Sequence, residues 1–361
     1  MSEPPRKRML GLDALRGVAV FLMIEQHLGV WLWRGPNPGE QLSDYPVLLV
    51  FNALGGGAAP AFVTLAGIGA SLLAGKRERP DATLVLRGIV VLGFGYLLSF
   101  LTPSWFSWQS WFVLHLMGLG MLVTPALRRL PSSALLGLGL ATLAVTGVVQ
   151  AKLGVPLVLD NPYMSGRAAN SPTQWTALRI AVAEGQFPIF PWFSFYLAGL
   201  LAGRWIAKDE LGRVAGLAGA ALGVGLVGVG LRSLGAAPDT ALGRSTALRV
   251  PFFPASPTLV ALLLGAVLLG IAGVMAWDRR RPMSERHLLV TLGRASLTLL
   301  IVHVWLFREA TRPLGAWQSL EVGQALAVLL GFLALATAGS WLWQRVGYRY
   351  GAEWLLRKLA P

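Results

Sequence analysis

Three histidines, His27, His115 and His303, interrupt apolar stretches that are otherwise long enough to cross a bilayer. Hydrocarbon tolerates an ionisable side chain only at a cost on the order of a few kcal/mol, so one kept there marks a candidate site by default. Histidine titrates near neutral pH and can accept and return a proton, which suits general base catalysis or a proton relay. The bland alternative for each is a polar contact between helices, worth about 1 kcal/mol. Two arginines, Arg16 and Arg294, also fall inside apolar runs, and Arg87 and Arg128 lie at loop edges; all four could bind phosphate or simply set topology. Arg16 follows Asp13 by three residues, close enough to pair on one helix face. His287 sits in a basic loop and receives no role.

Composition says what must position these residues. The 361 residues are 55% hydrophobic and only 13% charged, with a mean hydropathy of +0.60, whereas a soluble domain is about a quarter charged. Apolar runs occur at 10–33, 47–75, 83–102, 110–127, 133–150, 185–203, 211–231, 257–277, 288–307 and 323–344. Each approximates the roughly 20 residues a helix needs to span hydrocarbon, and none alternates as a barrel strand would. The expected fold is an all-α polytopic bundle of about ten transmembrane helices forming a single domain over 1–361. The basic N-terminus leads into an apolar run without a small-residue cleavage site and reads as a retained first helix. Zero cysteines exclude disulfides and thiolate chemistry. The net charge of +14 is dispersed over many loops, which fits a membrane better than nucleic acid.

Basic residues gather at every second connection: Arg6, Lys7 and Arg8; Lys76, Arg77 and Arg79; Arg128 and Arg129; Arg204, Lys208 and Arg213; Arg279 to Arg281 and Arg286; and Arg345 onward. The positive-inside rule then puts both termini in the cytoplasm. His27 lies eleven residues, roughly 16 Å, outward of Arg16, and all three histidines fall towards the outer side. Gly55, Gly56, Gly57 and Pro60 break the second span, and Gly185, Pro188 and Pro191 the sixth. Broken helices survive at membrane depth only where protein or a cavity satisfies the freed backbone, so an outward cavity is expected, covered by the polar loop 152–178. Glu25, Gln26 and His27 cannot all face it, being about 100° apart. Trp31, Trp33, Trp105, Trp108, Trp317, Trp341 and Trp343 sit at run ends, as interfacial anchors do, and Gly199/Gly203 and Gly219/Gly223 read as helix-packing notches. There is no P-loop, dinucleotide fingerprint, zinc HExxH or tandem repeat.

The segment from Gly11 to His27, GLDALRGVAVFLMIEQH, resembles the first helix of transmembrane acyltransferases. Ala59 to Gly67 (APAFVTLAG), Phe112 to Leu119 (FVLHLMGL), Phe187 to Trp192 (FPIFPW), Phe253 to Pro257 and Leu292 to Leu297 resemble, in order, segments of the heparan-alpha-glucosaminide N-acetyltransferase catalytic-domain family within that superfamily. The resemblance implies an acyltransferase taking acetyl, or another short acyl group, from cytoplasmic acyl-CoA to an extracytoplasmic sugar hydroxyl or amine, with no metal. It implies acetyl-CoA, a glycan or amino sugar and membrane lipids as partners, is compatible with a homodimer, and suits a bacterial inner membrane. Histidine is regarded as catalytic at the position of His27 in wider relatives. The animal lysosomal enzymes carry asparagine there and a histidine in the following loop, and the loop from Arg34 to Tyr45 has none. His27, His115 and His303 are therefore the candidate catalytic residues, and Arg16, Arg294, Arg87 and Arg128 the candidates for the CoA phosphates. A secondary transporter with an intramembrane histidine relay is the competing reading.

Overall fold

In hydrocarbon every backbone N–H and C=O has to be satisfied within its own segment, so apolar runs of about twenty residues become helices. The computed structural model describes residues 8–75, 79–159, 176–249 and 253–360. The helices are α1 (Leu10–Leu32), α2 (Pro46–Gly55), α3 (Ala58–Ala74), α4 (Pro80–Leu101), α5 (Val113–Leu127), α6 (Ser132–Lys152), the single turn α7 (Thr176–Arg179), α8 (Ile189–Ala207), α9 (Leu211–Arg232), α10 (Ala241–Thr246), α11 (Pro257–Arg280), α12 (Leu288–Arg294), α13 (Ser296–Val304), α14 (Val322–Trp343) and α15 (Ala352–Leu359). Among the described residues no strand forms; one parallel bridge joins Trp33 to Leu320. Local chemistry sets several starts: Pro46, Pro80 and Pro257 begin helices where a missing N–H costs nothing. Ser256 caps α11, and His287, given no role from sequence, caps α12.

Among the described residues eight helices are long and apolar enough to cross a membrane: α1, α2 with α3, α4, α6, α8, α9, α11 and α14. The 15-residue α5 is apolar but shorter, and α12 with α13 passes only as a pair bent by 71°. The continuous ninth helix expected over 288–307 is therefore corrected to a broken one. Carboxylate capping compensates the break: the Leu297 and Thr298 N–H groups (2.6 and 3.1 Å) and the Thr298 hydroxyl (2.6 Å) donate to Glu353 on α15. The two breaks expected from glycine and proline are present, at Gly56–Gly57 between α2 and α3 and at Gly185–Pro188 after a π turn, Ile180–Glu184.

Helix α8 is the buried centre, packed against α3, α5 and α6, with Trp192, Phe195 and Tyr196 fully enclosed. Its approach to α3 depends on missing side chains: a Cβ at Gly199 would collide with the Thr64 carbonyl, and one at Gly203 would press on Ser71. Gly17 and Gly293 play the same part between α1 and α12. The second expected notch is corrected, because Gly219 and Gly223 face open space and α9 meets α11 through Gly225 and Gly228 instead. Large apolar side chains such as Phe100 and Leu335 point outward, as helices bathed in lipid require.

Candidate active site

Helix α1 carries His27 to the wall of an apolar cavity of about 320 Å³. The break at Ala295 tilts α13 so that His303 stands behind it: His27 Nδ1 lies 2.9 Å from His303 Nε2, and the rings stack at 15°. His303 itself does not line the cavity. Its Nδ1 is 2.7 Å from the Leu299 carbonyl, which can only accept, so that nitrogen carries the proton. Neutral His303 then accepts at Nε2, His27 donates from Nδ1, and the lone pair of His27 falls on Nε2. The chain of hydrogen bonds thus assigns the tautomer a general base needs.

An aromatic box holds this pair. Trp31, one turn beyond His27, stacks on it at 4.5 Å, and Trp105 meets it edge-on at 5.9 Å. Trp317 lies 6.3 Å from Trp31, and the Arg308 guanidinium is 4.0 Å from the Trp317 ring and 5.5 Å from Trp105. Backbone pairing fixes the Trp317 loop on the end of α1: Gln318 N–H donates to Trp31 O (2.8 Å) and Leu320 N–H to Leu32 O (2.9 Å). Trp31, Trp105 and Trp317, read from sequence as interfacial anchors, are built around the site. Spacing could have found Trp31, four residues after His27 on one helix face; nothing local points to Trp317 or Arg308.

His115 is placed differently. It sits at the start of α5, where its Nδ1 accepts from Phe112 N–H at 3.3 Å, and it is enclosed by Tyr96, Trp111 and Phe112. It is fully buried and does not line the cavity, although its neighbours Phe112 and Val113 do. Gln26 does line it and donates to Asn52 Oδ1 at 3.3 Å, while Glu25 faces a separate cavity beyond that hydrogen bond. Residues 160–175, most of the loop expected to cover the site, lie outside the described residues.

Of the four candidate phosphate ligands, two converge. Arg16 (2.7 Å) and Arg294 (3.5 Å) share the buried carboxylate of Asp13 with Arg8 (2.6 Å), and Arg294 also reaches Glu285 at 3.4 Å. Three guanidinium groups against two carboxylates leave a net positive centre. Arg128 pairs with Asp81 at 2.5 Å, and Arg87 donates to the Ala360 carbonyl at 3.3 Å, so both lie apart from this cluster. In the loop after α1, a hydrogen bond from Tyr45, ahead of the Asn37 N–H, holds the Glu40 carboxyl below the ordinary carboxylate range and raises the Tyr45 phenol. Among the described residues no three histidine or acidic side chains gather to hold a metal ion.

A family model described as heparan-alpha-glucosaminide N-acetyltransferase, catalytic, matches residues 8–235, more than half of the chain. The matched stretch includes His27, His115, Arg16, Arg87 and Arg128, and leaves His303 and Arg294 outside. No curated protein matches the chain.

Proposed function

Because the chain belongs to the heparan-alpha-glucosaminide N-acetyltransferase catalytic family, a family of membrane acetyltransferases, we propose that it moves acetyl, or another short acyl group, from cytoplasmic acyl-CoA to a sugar hydroxyl or amine on the outer side. The observation that carries this reading is the relay from Leu299 through His303 to His27, which leaves a lone pair on His27 Nε2 at the cavity wall. In this mechanism the acceptor's oxygen or nitrogen attacks the thioester carbonyl as His27 Nε2 takes its proton. The imidazolium, still donating to His303, returns that proton to the departing sulfur. A C–O or C–N bond forms, the thioester C–S bond breaks, and free thiol leaves. Gln26 Nε2 spends one N–H on Asn52 and keeps a second for the developing oxyanion.

The donor's phosphates belong, in this reading, at the net positive centre formed by Arg8, Arg16 and Arg294 around Asp13, with Arg87 and Arg128 reached only by displacing Ala360 O and Asp81. The cavity ends at Met23, about two turns short of Arg16. The acyl arm therefore requires α1 and α3 to part where Gly69, lacking a side chain, faces the Arg16 guanidinium. The same reading places ten spans in a bacterial inner membrane with both termini cytoplasmic, following the alternation of basic loops.

The test is purified protein in liposomes given labelled acetyl-CoA and a panel of amino sugars and glycans. Label is expected on a sugar. Sugar movement across the liposome without label transfer would overturn the assignment in favour of a transporter.

A further inference from the structure

Two residues before His27, Glu25 is 1% exposed, and neither carboxylate oxygen has a hydrogen-bond partner. Burying a carboxyl without a donor costs on the order of several kcal/mol, and the handful of such groups in native proteins call for a reason. The group does not simply fill space in the core. It lines a second cavity of about 280 Å³, whose wall also includes Gly29, Trp33, Arg34, Leu49 and Gln318. Arg34 does not neutralise it, because that guanidinium is engaged by Glu321 at 2.8 Å and by Asn37 at 2.5 Å. On the other side, α2 approaches through Gly55, where an added Cβ would sit 3.0 Å from Glu25 Oε1 and collide with Gln26. The glycine leaves the carboxyl room to stay unpaired.

The second cavity adjoins the first. Gln26, Val30 and Asn52 line both, and the Gln26–Asn52 hydrogen bond, at 3.3 Å, is the partition between Glu25 and His27. We propose that the second cavity is the acceptor's binding subsite, and that the Glu25 carboxylate is its recognition group, accepting hydrogen bonds from the ammonium or hydroxyl donors of a sugar and rejecting a sugar that presents a carboxylate. This rests on the acyltransferase reading above and adds to it a residue that decides which sugar is taken. The chemistry follows from the group: both oxygens lack a donor, so the partner that satisfies them has to bring N–H or O–H. A sugar carboxylate would bring a charge and no donor of its own into this buried corner, and would lose its hydration there without compensation. The flanking aromatic and aliphatic walls, Trp33, Phe51 and Leu49, suit the apolar face of a sugar ring.

The absence of cysteine allows a direct test that does not depend on turnover. Leu49→Cys puts the single thiol of the chain on the wall of the second cavity, on a half-exposed side chain open to a water-soluble thiol reagent. Labelling of the purified protein, without acetyl-CoA, is timed in the presence of glucosamine, methyl glucoside or glucuronate. Glucosamine and methyl glucoside are expected to slow labelling several-fold, and glucuronate to leave it unchanged. Adding Glu25→Gln, nearly the same shape, should raise the glucosamine concentration needed for protection about tenfold, since the ammonium loses the carboxyl group as its partner and keeps only an amide oxygen. Adding Glu25→Ala should abolish protection by both sugars; an unliganded labelling rate equal to that of Leu49→Cys alone shows that the cavity is intact.

Equal protection by glucuronate, or protection that survives both Glu25 substitutions, overturns the proposal. Lack of protection by any sugar also overturns it, and if the same preparation still acetylates a sugar, only the subsite is lost and the transferase reading stands. Protection that depends on Glu25 without any acetyl transfer supports the subsite and removes the transferase.

Discussion

Replacing His303 with phenylalanine separates a base from the group that orients it. Phenylalanine keeps a ring of similar volume stacked on His27 but removes the acceptor for His27 Nδ1–H. His303 does not line the cavity, so KM for donor and acceptor should hardly move. The loss falls on the transition state, where His27 becomes an imidazolium and its bond to His303 becomes charge-assisted. Such a bond is worth about 1.5–3 kcal/mol, and each 1.36 kcal/mol is about tenfold in rate, so kcat should fall about 10- to 150-fold. His27→Ala removes the base itself and should cost on the order of 10² to 10⁴. The two act as a unit, so the double variant should be no slower than His27→Ala. Transfer of labelled acetyl in liposomes, with kcat and KM resolved, measures all three. Additive losses would refute the relay, as would near-normal turnover in His303→Phe. Turnover retained in His27→Ala would move the base to His115.

Glu353→Ala strips the donors at the start of α13 of their acceptor and should destabilise the protein by about 1–3 kcal/mol, read as a lower Tm in detergent, with activity lost alongside because His303 rides on that helix. Arg16→Glu should raise KM for acetyl-CoA by tenfold or more with little effect on the acceptor's KM, while Arg87→Gln and Arg128→Gln change it far less; equal effects from all three would remove the Asp13 cluster from donor binding. Gly199→Val should overpack the α3–α8 seam by about 1–3 kcal/mol, whereas Gly223→Val, in open space, should leave Tm within about a degree of the parent.

Much of the architecture was legible in the residue order because the bilayer imposes a one-dimensional rule: a long apolar run becomes a helix whatever its neighbours are. The eight long helices, the breaks at Gly55–Gly57 and Gly185–Pro191, and the pairing of Arg16 with Asp13 all follow from local composition or from spacing within one segment. The kink at Ala295 does not, since the residues around it read as continuous helix and the group that makes the break tolerable, Glu353, comes from more than fifty residues away. The site shows the same division. That His27 is the best-placed base is legible from its surroundings in sequence, but which of His115 and His303 meets it is not, because depth along a helix says nothing about which rings meet. Tertiary packing put His303 behind His27, buried His115 against its own helix start, moved Trp317 and Arg308 over the pair, and left Glu25 in a cavity of its own. Hydrogen bonds and stacking act over a few ångströms in space, and only the folded chain determines which distant residues come that close.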